Sequence, residues 1–290
     1  MRSARFFRYF RYLNWATLKL AFQRAGEQRL PGLAAEMAYN AMLSLFPTIL
    51  AILTAIGLFA SLRFTVKDLA TQVSQLAPRE ALFLIQGFVQ TVSLSHNEGL
   101  FSLSFIVALW TASGAQSAAM AALDQIHQIP LRRRRPFWQA KLVSLGLTIG
   151  TILLLIVASF LLLVSDIIVQ IVAAQSDILK PGLLAIWRLL TWPAGLGIVA
   201  SAFAFVYRYG PSCWVKGTPI LPGAILAAVS WAILSGLFRL YVANFGNYNA
   251  AYGAVGTVIV LMLWLNLSSL VMLFGGQLNV TVGEAMRKKD

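Results

Sequence analysis

The stretch EMAYNAMLSLFPTIL, residues 36 to 50, sets a carboxylate (Glu36), a phenol (Tyr39), an amide (Asn40), a hydroxyl (Ser44) and a proline (Pro47) at the head of a long apolar run. At about 100° per residue, Glu36, Asn40, Ser44 and Pro47 fall on one helical face with Tyr39 at its edge, and Met37, Leu45 and Ile49 fall outside it. A polar face of this kind is expected to look into a bundle or a wet cavity, where its groups find partners. Two kinds of chemistry fit. The face lines a path for a solute, or Glu36, about 7 Å outside the apolar window that opens near Ala41, complements the helix dipole in a first turn.

Further polar groups fall at helix ends on the same side of an alternating topology: Asp124, Arg208, Gln277 and Asn279. Arg208 is placed to balance Glu36 or Asp124, which would make a polar vestibule; end-capping and snorkelling produce the same pattern. Asn266 lies within an apolar run, either as a bridge between helices or as a solute contact, and the bridge is the favoured reading. At the opposite end, NFGNYNAAYGAVG, residues 244 to 256, carries Asn247, Tyr248, Tyr252 and Gly253. These are read as interfacial anchors and caps, with substrate contact as the alternative.

Catalytic constellations are not assembled in this sequence. Cys213 is the only cysteine, and His96 and His127 fall on opposite sides of the alternating topology, so neither a disulfide nor a shared metal is expected. No Ser/His/Asp set and no Gly-rich phosphate loop is present. The expectation is a protein that is not an enzyme and takes no metal or cofactor.

The elements that position these groups follow from composition. With 59% hydrophobic and 11% charged residues and a mean hydropathy of +0.74, a 290-residue chain has too little polar surface to clothe a soluble globule. Six stretches reach the roughly 20 apolar residues that a membrane crossing needs: 41–60, 100–122, 142–165, 183–207, 219–238 and 254–276. The fold class is therefore all-α, a polytopic bundle of six transmembrane helices. Outside those spans, Lys and Arg divide seventeen to five between the two sides of that topology, so both termini are expected in the cytoplasm.

The net charge of +13 then serves orientation and anionic headgroups, at the N-terminal segment and at the Arg132–Arg135 loop, and no nucleic acid is expected as a partner. Residues 3 to 24 place Phe6, Phe10, Leu13 and Leu20 on one face against Arg8, Arg11 and Lys19, which reads as an amphipathic helix lying on the membrane surface. The long connection 62–99 has room for two short interfacial helices. Gly114, Ala118 and Ala122, and Ala224, Ala228, Ala232 and Gly236, form small-residue stripes at spacing four that let helices approach closely. Pro193 with Gly195 and Gly197, and Pro222 with Gly223, are expected to kink or break their helices.

Two segments carry a resemblance: AAEMAYNAMLSLFPTILAILTAIGLF, and the run LPGAILAAVSWAILSGLFRLYVANFGNYNAAYGAVGTVIVLMLWLNLSSLVMLFGGQLN. Through Tyr39, Ser44, Pro47, Pro222, Gly223, Trp231, Tyr241, Tyr252, Gly253, Trp264, Gly276 and Asn279 the chain resembles the YihY/BrkB family over about residues 33 to 282. Asp124 stands where asparagine is expected in that family. The resemblance implies a six-helix inner-membrane domain over 33–282, flanked by a basic interfacial segment 1–32 and a short basic tail 283–290. It also brings virulence and ribonuclease labels; the ribonuclease label fits poorly with a chain lacking an acid/base or metal set. The leading expectation is a transporter or flippase-like permease for an amphipathic or lipidic solute. The alternative is a non-transporting scaffold of the envelope.

Overall fold

A computed structural model of the chain describes residues 9, 11–58, 98–174, 180–213, 218–244 and 246–287. Among the described residues the regular elements are all helical: α1 (Trp15–Glu27), α2 (Leu30–Leu58), α3 (Glu98–Ile126), a 3-10 turn (Leu131–Arg133), α4 (Phe137–Ala174), α5 (Lys180–Tyr209), α6 (Leu221–Asn244) and α7 (Gly246–Arg287). Five of them contain a segment long and apolar enough to cross a membrane: Phe105–Ile126, Phe137–Ala158, Leu189–Tyr209, Leu221–Val242 and Val258–Arg287. The expected first span, 41–60, falls largely within α2, so the described helices give five such segments where the sequence predicted six. The connection 62–99 and His96 lie outside the described residues.

From α2 to α7 each helix packs on its neighbour in sequence, and α7 closes back on α2, so six helices form a ring in chain order. α1 lies outside the ring against α7 and α2. The core gathers where α2, α3, α5, α6 and α7 converge, around Leu30, Met37, Ala122, Leu123, Tyr207, Ala224 and Leu273.

Helix ends explain several boundaries. Asn14 accepts a hydrogen bond from the Thr17 backbone N–H and Thr17 Oγ1 accepts one from the Asn14 N–H, both at 2.9 Å. This reciprocal cap starts a new helix at Trp15, so the single helix expected over 3–24 is interrupted at Leu13–Asn14 and α1 continues to Glu27. Arg29 then takes a left-handed conformation, φ 56°, and Pro31, with no N–H to leave unpaired, sits in the first turn of α2. Gln128 does the same after α3, φ 53°, while the Ile129 and Gln128 N–H groups bond the Asp124 and Gln125 carbonyls, the two-bond left-handed helix stop.

Helix continuity excludes a break at Pro193 and carries the last helix beyond its expected span. α5 runs unbroken from Lys180 to Tyr209 with Pro193 inside it, and Pro222 sits in the first turn of α6, where proline is tolerated. α7 extends past the expected 254–276 on both sides, from Gly246 to Arg287, so residues 283–287 belong to the helix. Arg24 of α1 donates to Glu284 there at 2.7 Å.

Candidate functional site

At the end of the ring where α1, α3, α5 and α7 terminate and α2, α4 and α6 begin, polar side chains pin the connections together. Asp124, 5% exposed, accepts hydrogen bonds from the Ser212 N–H and the Ser212 hydroxyl, each at 2.6 Å. Arg135 donates to the carbonyls of Tyr209, Gly210 and Pro211. A guanidinium is favoured there, since the last carbonyls of α5 lack helical donors and carry the negative end of its dipole. Gln125 Nε2 reaches the Gln28 carbonyl at 2.7 Å, tying α3 to the α1–α2 junction.

Asn279 performs a comparable task between α7 and α6. Its Oδ1 accepts from the Gly223 N–H at 2.9 Å and its Nδ2 donates to the Ile220 carbonyl at 3.1 Å, so a side chain of one helix caps the N-terminus of the next. The fit requires glycine, because a Cβ at Gly223 would lie within 2.5 Å of the Asn279 amide. Gln277, fully buried, donates to Thr281 Oγ1 at 3.1 Å, and Tyr207 donates its hydroxyl proton to the Met272 carbonyl. Asp124, Gln277 and Asn279 thus share one end of the bundle, where Asp124 and Asn279 pin the backbone of neighbouring segments and Gln277 bonds Thr281 within its own helix.

The opening motif is distributed differently from expectation. Met37 and its neighbours Ala34 and Ala38 are the buried face of α2, whereas Glu36 and Tyr39 are exposed. Asn40 is half-buried against α3, where a Cβ built on Gly114 would come 2.7 Å from its Oδ1, and its Nδ2 donates to the Glu36 carbonyl. Ser44 bonds the Ala41 carbonyl at 2.6 Å, and Pro47 is half-buried within α2. Arg208 is exposed, its guanidinium 5.9 Å from the Tyr209 ring centroid, while both carboxylate oxygens of Asp124 are held by Ser212. Asn266 is half-buried in α7. Asn247, Tyr248, Tyr252 and Gly253 belong to the first turns of α7, and their side chains lie outside the described residues.

Several contacts escaped the sequence reading. Lys141 Nζ donates to Ser113 Oγ at 2.6 Å and the Trp110 carbonyl at 3.1 Å and lies 4.2 Å from the Trp110 ring centroid. Between α6 and α7, Trp231 Nε1 donates to Ser268 Oγ at 3.1 Å and Trp264 Nε1 to Ser235 Oγ at 3.3 Å. This reciprocal pair has a sequence signal, Trp-x-x-x-Ser in both WAILS and WLNLS.

Halfway along the bundle a cavity of about 380 Å³ opens between α5 and α6, lined by Thr191, Gly195, Leu196, Val199, Trp231 and Ala232. It lies beside Pro193, whose missing N–H leaves the Leu189 carbonyl without its helical donor. The chain therefore offers an apolar hollow with a few polar groups at mid-span. Among the described residues no group of three His, Cys, Asp or Glu side chains comes together.

Comparison with known proteins places this architecture. The ribonuclease-like protein YfkH of Bacillus subtilis (strain 168) is 31% identical over 276 residues, covering 94% of this chain and 97% of the relative. A UPF0761 membrane protein of Alteromonas mediterranea is 27% identical over 92% of this chain and 87% of its own length. One of Paraburkholderia xenovorans is 28% identical over 90% of this chain, which spans 58% of that longer protein. No solved structure matches. The family model described as Virulence factor BrkB matches residues 21–290, and the chain is accordingly an integral membrane protein belonging to the BrkB family.

Proposed function

We propose that this protein crosses the bacterial inner membrane six times, with α2 as the first span and both termini cytoplasmic, and that it moves an amphipathic or lipidic solute without catalysing a reaction. The observation that carries the reading is the mid-span cavity between α5 and α6. Its wall is mostly hydrocarbon, with the Thr191 hydroxyl and the Leu189 carbonyl released by Pro193 nearby. Such a site suits a molecule with an apolar body and a small polar group, and non-ideal helical backbone at membrane depth is a common feature of solute sites.

The test is translocation of a fluorescent phospholipid in vesicles reconstituted with the full chain, followed by bleaching from outside with a membrane-impermeant reductant. Wild-type protein is expected to accelerate loss of the protected fluorescence. A Cβ at Gly195 meets no atom within 4 Å and Gly195 lines the cavity, so Gly195→Leu should occupy part of it and slow translocation several-fold. Met37→Leu, a swap of similar volume on the buried face of α2 and away from the cavity, should leave the rate unchanged. Wild-type vesicles that bleach no faster than protein-free ones would reject lipid movement and favour the scaffold alternative, for which loss of partner proteins on deletion without any flux defect is the signature.

A further inference from the structure

A second hollow, of about 840 Å³, lies between α1 and the outer faces of α6 and α7. Its volume falls within the ~300–1,000 Å³ typical of small-molecule sites. The walls are apolar: Leu18 and Phe22 from α1, Leu226 from α6, and Leu270, Phe274 and Leu278 from α7. The lining residues of α6 and α7 lie in segments long and apolar enough to cross a membrane, so the hollow is expected to border lipid. α1 is held over it at two points, by the Phe22–Phe274 ring contact at 4.5 Å between centroids and by the Arg24–Glu284 ion pair.

We infer that this cleft holds an acyl chain of an anionic phospholipid, with the headgroup at the rim formed by Trp15 and Lys19. An apolar hollow bordering a bilayer is filled by lipid tails, since an empty one forfeits dispersion contacts on every wall. The rim supplies the complementary charge. Trp15, Lys19, Phe22 and Gly26 recur at helical spacing on one face of α1. Lys19 and Trp15 are exposed, and Asn14 at the cleft edge is engaged in capping α1. Tryptophan with a cation beside it is the residue pair that settles at headgroup depth. Gly26 completes the hollow, because a Cβ there would meet nothing within 4 Å. Occupancy of this cleft is independent of whether the protein moves lipid through the bundle.

The experiment uses the full chain in vesicles of phosphatidylcholine and phosphatidylglycerol, with a trace of phosphatidylglycerol bearing a photoreactive diazirine in its acyl chain, and maps labelled peptides. Labelling is expected to concentrate on residues 15–27, 226–230 and 270–278, exceeding that on the exposed apolar face of α4 at Leu142, Leu153 and Ile156. Gly26→Phe should reduce it at least five-fold. Gly32→Phe should leave it unchanged, since Gly32 is equally open but does not line the cleft. Lys19→Glu should remove the preference over a phosphatidylcholine probe. Labelling spread evenly over α4 and the cleft, or unaffected by Gly26→Phe in protein with an unchanged helical circular dichroism spectrum, would overturn the inference. Cross-links to a second protein copy in place of lipid would do the same. Because labelling reads occupancy and not flux, cleft labelling without translocation would uphold this site while rejecting the transport reading.

Discussion

His127 follows the last turn of α3, with Nδ1 2.8 Å from the Leu123 carbonyl oxygen. Burial pulls its pKa below the ordinary 6.5; the Leu123 carbonyl, Asp124 and Glu284 oppose that shift and Arg287 adds to it. A histidine with a lowered folded-state pKa binds fewer protons folded than unfolded over the window between the two values. Its contribution to stability is therefore fully present above about pH 6.5 and is lost as the pH falls from there through the lowered folded value. The expected outcome is a thermal unfolding midpoint, in detergent, that drops on acidification from pH 7 to pH 5 in the wild type and drops less in His127→Gln. Equal pH dependence in the two proteins would show that other groups at this end of the bundle govern the acid response.

At the scale of helices, the α2–α3 contact depends on the absence of a side chain at Gly114. A Cβ there would sit 2.7 Å from Asn40 Oδ1 but 3.5 Å from Asn40 Cβ, so the conflict lies with the amide alone. Gly114→Ala should destabilise by about 1 kcal/mol, the low end of overpacking costs because the Asn40 amide is a side-chain end that can turn aside, and Gly114→Ala combined with Asn40→Ala should recover most of the loss. Midpoints of thermal aggregation for the single and double variants measure this directly; a double variant no better than Gly114→Ala would place the strain elsewhere. The same contact explains what could and could not be read in advance. Periodicity grouped Glu36, Asn40, Ser44 and Pro47 on one face, but a period does not say which face turns inward. That is decided by the Gly114/Ala118/Ala122 stripe of α3, with Ala118 and Ala122 packed in the same core cluster as Ala34 and Met37, and it leaves Glu36 outside. The stripe itself was legible, since small residues at spacing four have a clear use in close packing. Asp124 was legible as a helix-end carboxylate, whereas its partner Ser212 lies 88 residues away in a turn with no motif. Likewise the last expected span stops at 276, and Gln277 and Asn279 beyond it are buried by the packing of neighbouring helices as α7 continues to Arg287.

For the whole molecule, the ring closes in chain order, so alternate connections gather at opposite ends. One end carries the α1–α2 junction, the Arg132–Arg135 turn, the Asp124–Ser212 clamp and the Arg24–Glu284 pair. Hydrogen bonds among these connections fix them to one another independently of any membrane, so their common sidedness does not depend on charge counting. Which side that end faces does depend on it. In the topology proposed above, the positive-inside rule puts the arginine-rich end on the cytoplasmic side, and the arginines at 132 and 133 are exposed and available to test it. In a Cys213→Ser background, which removes the single native thiol, Arg132→Cys should resist an impermeant maleimide applied to intact spheroplasts and react once the membrane is opened, while His96→Cys should react from outside. Retaining most of the basic residues in the Arg132→Cys variant keeps the orienting charge nearly intact, so the substitution itself does not invert the protein. Labelling of Arg132→Cys from outside, with His96→Cys protected, would turn the bundle over and place the Trp15–Lys19 rim and both termini on the opposite face of the membrane.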